Sequence, residues 1–170
     1  QPTIQSGADF ATEGDTVLVA PGIYFENIII ESKGIALISE AGPASTTIMP
    51  ADSTQRTLYV PSNQGRNFIL RGFTFKGSKA YVCVEIYSGI AGVHDNVFEN
   101  NLSHAGALLV GHGGGTILGN VFRNNHSTEH GGAMQVASWK PFLIADNIVT
   151  GNTATYGAGI NLLGSRFAVV

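Results

Sequence analysis

Charge is scarce in this sequence: 9 Lys and Arg stand against 12 Asp and Glu, 12% of 170 residues, with a net charge of -3. So slight a balance gives no basic footprint for nucleic acid and no polybasic patch for a membrane surface. Cysteine is nearly missing. The single Cys83 excludes an internal disulfide framework and any zinc site built on several thiolates. Its place in the strand-like run Tyr81-Val82-Cys83-Val84-Glu85-Ile86 makes it a buried structural thiol. No apolar stretch approaches the ~20 residues that cross a bilayer, so no transmembrane segment is expected. A start at Gln1, without initiator Met or signal peptide, fits a processed exported chain or a segment of a longer one.

What is abundant is glycine, 22 residues, in a chain that is 44% hydrophobic. Without a collagen period, that suits turns and short strands. The turns recur. Asp95-Asn96-Val97-Phe98-Glu99-Asn100-Asn101 returns as Gly119-Asn120-Val121-Phe122-Arg123-Asn124-Asn125, and in weaker form as Asp146-Asn147-Ile148-Val149-Thr150-Gly151-Asn152, at offsets of 24 and 27. Each unit runs on into small residues: Gly106-Ala107, Gly131-Gly132-Ala133 and Gly157-Ala158-Gly159. A fainter copy is Arg71-Gly72-Phe73-Thr74-Phe75, with Gly72 placed 24 residues before Asn96.

A fixed period of this size signals a repeat architecture. The units are β-branched and punctuated by Gly and Asn, which rules against a helical solenoid. The leucine-rich frame is absent, and a propeller blade needs about 40 residues. The period fits an all-β, right-handed parallel β-helix with coils of about 24 residues and three short strands. Stacking then puts Val93, Ile117 and Ile144 in one apolar column and Phe98, Phe122 and Val149 in another. Asn96, Asn120 and Asn147 form one asparagine ladder; Asn101, Asn125 and Asn152 form a second. Asparagine suits such bends because it tolerates left-handed backbone and its amide can bond the neighbouring coil.

The chain reads as one domain, 1–170. Residues 1–15 form an N-terminal cap, with a short amphipathic helix over Thr3 to Ala11, and 16–170 form the coils. Strands are expected at Thr16 to Ala20, Asn27 to Ile30, Ile35 to Ser39, Thr46 to Ile48, Leu58 to Val60 and Phe68 to Phe75. The last segment, Ser165-Arg166-Phe167-Ala168-Val169-Val170, repeats the approach Lys140-Pro141-Phe142-Leu143-Ile144-Ala145 to an Asn unit. That leads to an expectation of further coils of the same protein, or another chain, beyond Val170.

Thr3-Ile4-Gln5, then Gly14-Asp15-Thr16-Val17-Leu18-Val19-Ala20-Pro21-Gly22-Ile23-Tyr24, then Glu26-Asn27-Ile28 resembles the opening of pectate-lyase-like right-handed β-helix proteins. The Phe-x-x-Asn and Gly-Gly-Ala units resemble the repeats of exported bacterial β-helix proteins. Together they cover most of the chain. The resemblance implies an extracellular or cell-surface setting and a polysaccharide or cell-surface glycan as ligand. The superfamily holds lyases, hydrolases, epimerases, adhesins and surface proteins, so it does not fix an activity.

The chemistry is sparse. His112-Gly113-Gly114-Gly115 matches an esterase oxyanion loop, but no serine has glycine two residues away on both sides, so it reads as a turn. His104, His112, His126 and His130, with Glu129 nearby, fall at intervals of 8, 14 and 4, which fit neither the coil nor a metal motif; they read as solvated turn residues. Asp95 and Asp146 share a phase two coils apart, roughly 10 Å in backbone separation and near the spacing of an inverting carboxylate pair, although each also precedes a ladder Asn and can serve the turn. Trp139 and Lys140 lie where the interval lengthens to 27, so an indole on a loop beside a cation becomes the carbohydrate-contact candidate. For a lyase, Lys140 would be the base and Ca²⁺ the group that neutralises a uronate; otherwise no cofactor is expected. Two readings stand: an exported or surface module with a structural or carbohydrate-binding role, and a polysaccharide-active enzyme, lyase before hydrolase. A flat ice-binding face would need Thr-x-Thr ladders, which are missing.

Overall fold

A computed structural model describes residues 3–61, 66–164 and 166–170, so Gln1 and Ser165 lie outside the described residues. The chain is an all-parallel β-solenoid of about six turns with one short helix. That helix, α1 (Ile4–Phe10), covers the first coil, made of β1 (Thr16–Val19), β2 (Gly22–Phe25) and β3 (Ile28–Ile29). The second coil is β4 (Ala36–Ser39), β5 (Thr46–Met49) and β6 (Leu58–Val60); the third is β7 (Asn67–Arg71), β8 (Thr74–Lys76) and β9 (Val84–Tyr87). The fourth is β10 (Ile90–His94), β11 (Val97–Glu99), β12 (Leu102–Ser103) and β13 (Leu108–Gly111). The fifth repeats it as β14 (Gly114–Leu118), β15 (Val121–Arg123), β16 (His126–Ser127) and β17 (Met134–Ser138). The sixth is β18 (Phe142–Ala145), β19 (Ile148–Thr150) and β20 (Ile160–Gly164), followed by β21 (Phe167–Val169). Three long sheets result: the first runs from β1 to β21, the second from β2 to β19, the third from β3 to β20.

The core follows from alternation along each strand, which turns every second side chain inward. In the first sheet Leu37, Leu70, Val93, Ile117 and Ile144 lie in one register column. In the second, Phe75, Phe98 and Phe122 stack with ring centroids 5.3 and 4.7 Å apart. In the third, Val60, Ile86, Val110 and Val136 are in register and buried. Each coil buries apolar surface that its neighbour would otherwise leave in water.

Both asparagine ladders form. Asn96 donates its backbone N–H to Asn120 Oδ1 at 3.0 Å, and Asn120 donates to Asn147 Oδ1 at 2.9 Å. Asn101, Asn125 and Asn152 repeat the pattern at 3.1 and 3.0 Å. The left-handed residue is not the ladder asparagine but the one before it. Asp95, Gly119 and Asp146 have φ of 54°, 66° and 58°, and Asn100, Asn124 and Gly151 have 55°, 55° and 64°. This division of labour lets the ladder side chain point inward while its neighbour turns the corner.

Several boundaries differ from the sequence expectation. Gly22–Phe25 forms β2, a strand outside the expected runs. The run Phe68 to Phe75 breaks into β7 and β8 at Gly72, whose φ is 82°. Phe73, not Gly72, stands opposite Asn96, whose Oδ1 accepts its N–H at 3.0 Å. The faint early copy is therefore displaced by one residue.

The cap is fastened at both ends. Glu26 accepts the N–H groups of Ile4 and Gln5, both at 2.9 Å, and Lys33 Nζ donates to the carbonyls of Ala8 and Ala11 at 2.7 and 2.9 Å. A carboxylate at the start and an ammonium at the end complement the helix dipole.

Cys83 is fully buried beside Thr57, 3.5 Å from its hydroxyl, and burial pushes its thiol up to about 12. The thiolate fraction at pH 8 is then on the order of 10⁻⁴. Cys83 is expected to resist a thiol reagent at pH 8 in the native protein and to react fully in denaturant. Rapid native labelling would contradict this burial.

Candidate functional site

Asp95 and Asp146 sit at exposed left-handed corners, two rungs apart on one column with Gly119 between them. Asp95 pairs with Arg71 of the preceding coil at 3.0 Å and lines a cleft of about 440 Å³ with Glu40, Arg71 and Gly72. Next to it, His94 is held below the ordinary histidine range by burial and bonds Thr116 at 2.7 Å. Each aspartate occupies the left-handed position before a ladder asparagine.

Trp139 is 78% exposed, and Lys140 beside it is exposed too. They occupy a tight corner between β17 and β18 rather than a long loop. Register locates the extra residues: β12 and β16 pair at an offset of 24, β13 and β17 at 26, and β14 and β18 at 27. Most of the insertion thus falls in residues 128–133, and only one residue falls at the Trp139 corner.

The richest cluster lies on the outer face of the third sheet. There the outward column runs Ile29, Tyr59, Glu85, Leu109, Gln135, Asn161, and the next runs Tyr87, Gly111, Ala137, Leu163. Val82 and Ala105, from the loops that lead into β9 and β13, fold onto this face and bury Leu109. Glu85 is buried as well, at 3% exposure, because Arg56 closes over it in an ion pair while its guanidinium lies 4.7 Å above the Tyr59 ring. Tyr87 crosses Gly111, where a Cβ would meet its ring carbon at 2.5 Å, and so reaches His112, with centroids 4.5 Å apart. Burial, then its hydrogen bond to Glu85, holds the Tyr87 phenol well above the ordinary tyrosine range. A phenol so placed is a hydrogen-bond donor and not a base at neutral pH.

The four histidines are exposed, and each contacts a side chain of an adjacent coil. His104 stacks on Tyr81, His112 on Tyr87 and His130 on Tyr156, each one coil from its partner, at centroid distances of 6.1, 4.5 and 5.2 Å. His126 bonds Thr153 of the next coil at 2.7 Å. The sequence intervals between histidines concealed this, because the register pairs each with a tyrosine 23, 25 or 26 residues away. Searching for His–Tyr pairs over separations of 23 to 26 residues, rather than at one fixed offset, finds all three. Among the described residues no three His, Cys, Asp or Glu side chains converge as a metal-binding group, and no helix is long and apolar enough to cross a membrane. No family model, curated protein or solved structure matches this chain.

Proposed function

We propose that the chain is an exported or cell-surface glycan-binding module that uses the outer flank of its third sheet. One observation carries this reading: four of the five tyrosines, three of the five histidines and the only tryptophan gather on that flank and its two bordering corners. Ring faces bind the apolar faces of sugars, and phenols, imidazoles and amides satisfy hydroxyls. The resemblance to pectate-lyase-like exported β-helix proteins belongs to the same proposal and supplies its setting.

The test is a glycan array followed by affinity electrophoresis, alongside assays for unsaturated and reducing ends. Retention is expected, with Trp139→Ala weakening it about tenfold as one exposed ring face is lost. Full retention by the variant would remove Trp139 from the site, and new chain ends would replace binding with catalysis.

A further inference from the structure

Resting on that reading, we infer that the Arg56–Glu85 pair is a charge-selecting element that restricts the flank to uncharged polysaccharides. Arg56, from the loop before β6, lies over Tyr59 and Glu85 of the outer column with its side chain 34% exposed, and it would ordinarily attract a carboxylate or sulfate. Glu85 occupies it. The carboxylate is buried under Arg56, shares its strand face with Tyr87 and sits one rung from Tyr59, over which the guanidinium lies. An arriving acidic group would have to compete with a partner already desolvated and ion-paired, and it would meet the negative charge of Glu85.

The groups left to a ligand are neutral. They are the exposed rings of Tyr81 and Tyr156, 51% and 63% accessible, the indole of Trp139, and the amides of Gln135 and Asn161, linked to each other at 3.2 Å. Lys79, Glu129 and Lys140 stand at the borders of the face, exposed to solvent, where their fields are screened.

Affinity electrophoresis against neutral polymers (a β-glucan, a galactan, a mannan) and acidic ones (polygalacturonate, alginate, a sulfated galactan) tests this at ~20 mM and ~500 mM salt. The native protein is expected to be retarded by a neutral polymer equally at both salt concentrations, and not by the acidic set. Glu85→Gln keeps an acceptor for Tyr87 and Arg56 but removes the charge. It is expected to gain retardation by acidic polymers of about tenfold, abolished by high salt and by a second substitution, Arg56→Gln. Salt-sensitive binding of acidic polymers by the native protein would overturn the inference and leave the glycan-binding reading intact. Binding of no polymer would overturn both. If Glu85→Gln does not fold, shown by circular dichroism, the native arms decide alone.

Discussion

Asn120→Ala is expected to lower the unfolding free energy by about 3 kcal/mol. Asn120 is fully buried and works in two directions at once. Its Oδ1 accepts Asn96 N–H at 3.0 Å and Asn96 Nδ2 at 3.1 Å; its own Nδ2 donates to Val93 O at 2.8 Å and Asn147 Oδ1 at 2.9 Å. Alanine leaves the Asn96 N–H and the Val93 carbonyl buried without these partners, and each such group costs roughly 1–3 kcal/mol. Asn120→Asp keeps the volume and the acceptor but loses the donor, and it directs a carboxylate at Asn147 Oδ1. A loss at least as large as that of alanine would show that the donor, not the volume, matters. The half-buried outer rung gives the contrast: Asn152→Ala is expected to cost about 1 kcal/mol, since water reaches the groups it exposes. Urea unfolding of the three variants measures this. Equal losses at Asn120 and Asn152, or a loss below about 1 kcal/mol at Asn120, would mean that the ladder is not a stabilising device.

The ladders and the phenylalanine stack were legible in the sequence because the corners carrying them cannot change length. From Asp95 to Asn101 and from Gly119 to Asn125 the backbone makes two left-handed turns around one three-residue strand. Inserting a residue there would turn the interior side chains outward. Other corners carry no such constraint. Between the first two coils β1 and β4 pair at an offset of 20, and between the next two β4 and β7 pair at 33, so the early coils show no period. The tyrosine- and histidine-rich flank was hidden for the same reason. Its rings sit at the corners whose lengths vary, so partners recur at 23, 25 and 26 and escape a search fixed on 24. Glu85 was hidden by a different cause. In Val84-Glu85-Ile86 alternation puts it outward, and an outward carboxylate ordinarily means solvent. Only the loop carrying Arg56, distant in sequence, makes that position a buried one.

Phe98→Ala is expected to cost about 4 kcal/mol. Phe98 is wholly buried between two rings, 5.3 Å from Phe75 with planes tilted by 14°, and 4.7 Å from Phe122 with planes 2° apart. Alanine removes the ring's transfer energy, leaves a cavity that rigid strands on both sides cannot close, and breaks two stacking contacts worth about 1 kcal/mol each. Phe98→Leu refills much of the space without the stacking, so about 1.5 kcal/mol is expected. The position in the solenoid adds a second expectation. Because each coil touches only its neighbours, a defect at the fourth coil weakens the link between the two ends. Hydrogen exchange should then show coils five and six opening before the capped first and second coils, whose helix is held by Glu26 and Lys33. Cys83 in the third coil supplies a built-in reporter of how far the opening spreads. Its labelling rate in Phe98→Ala stays low if the break lies beyond β9, and rises to match global unfolding if the solenoid still melts as one unit. A loss below about 2 kcal/mol for alanine, or leucine as damaging as alanine, would mean that the stack is filler rather than the axis of the core.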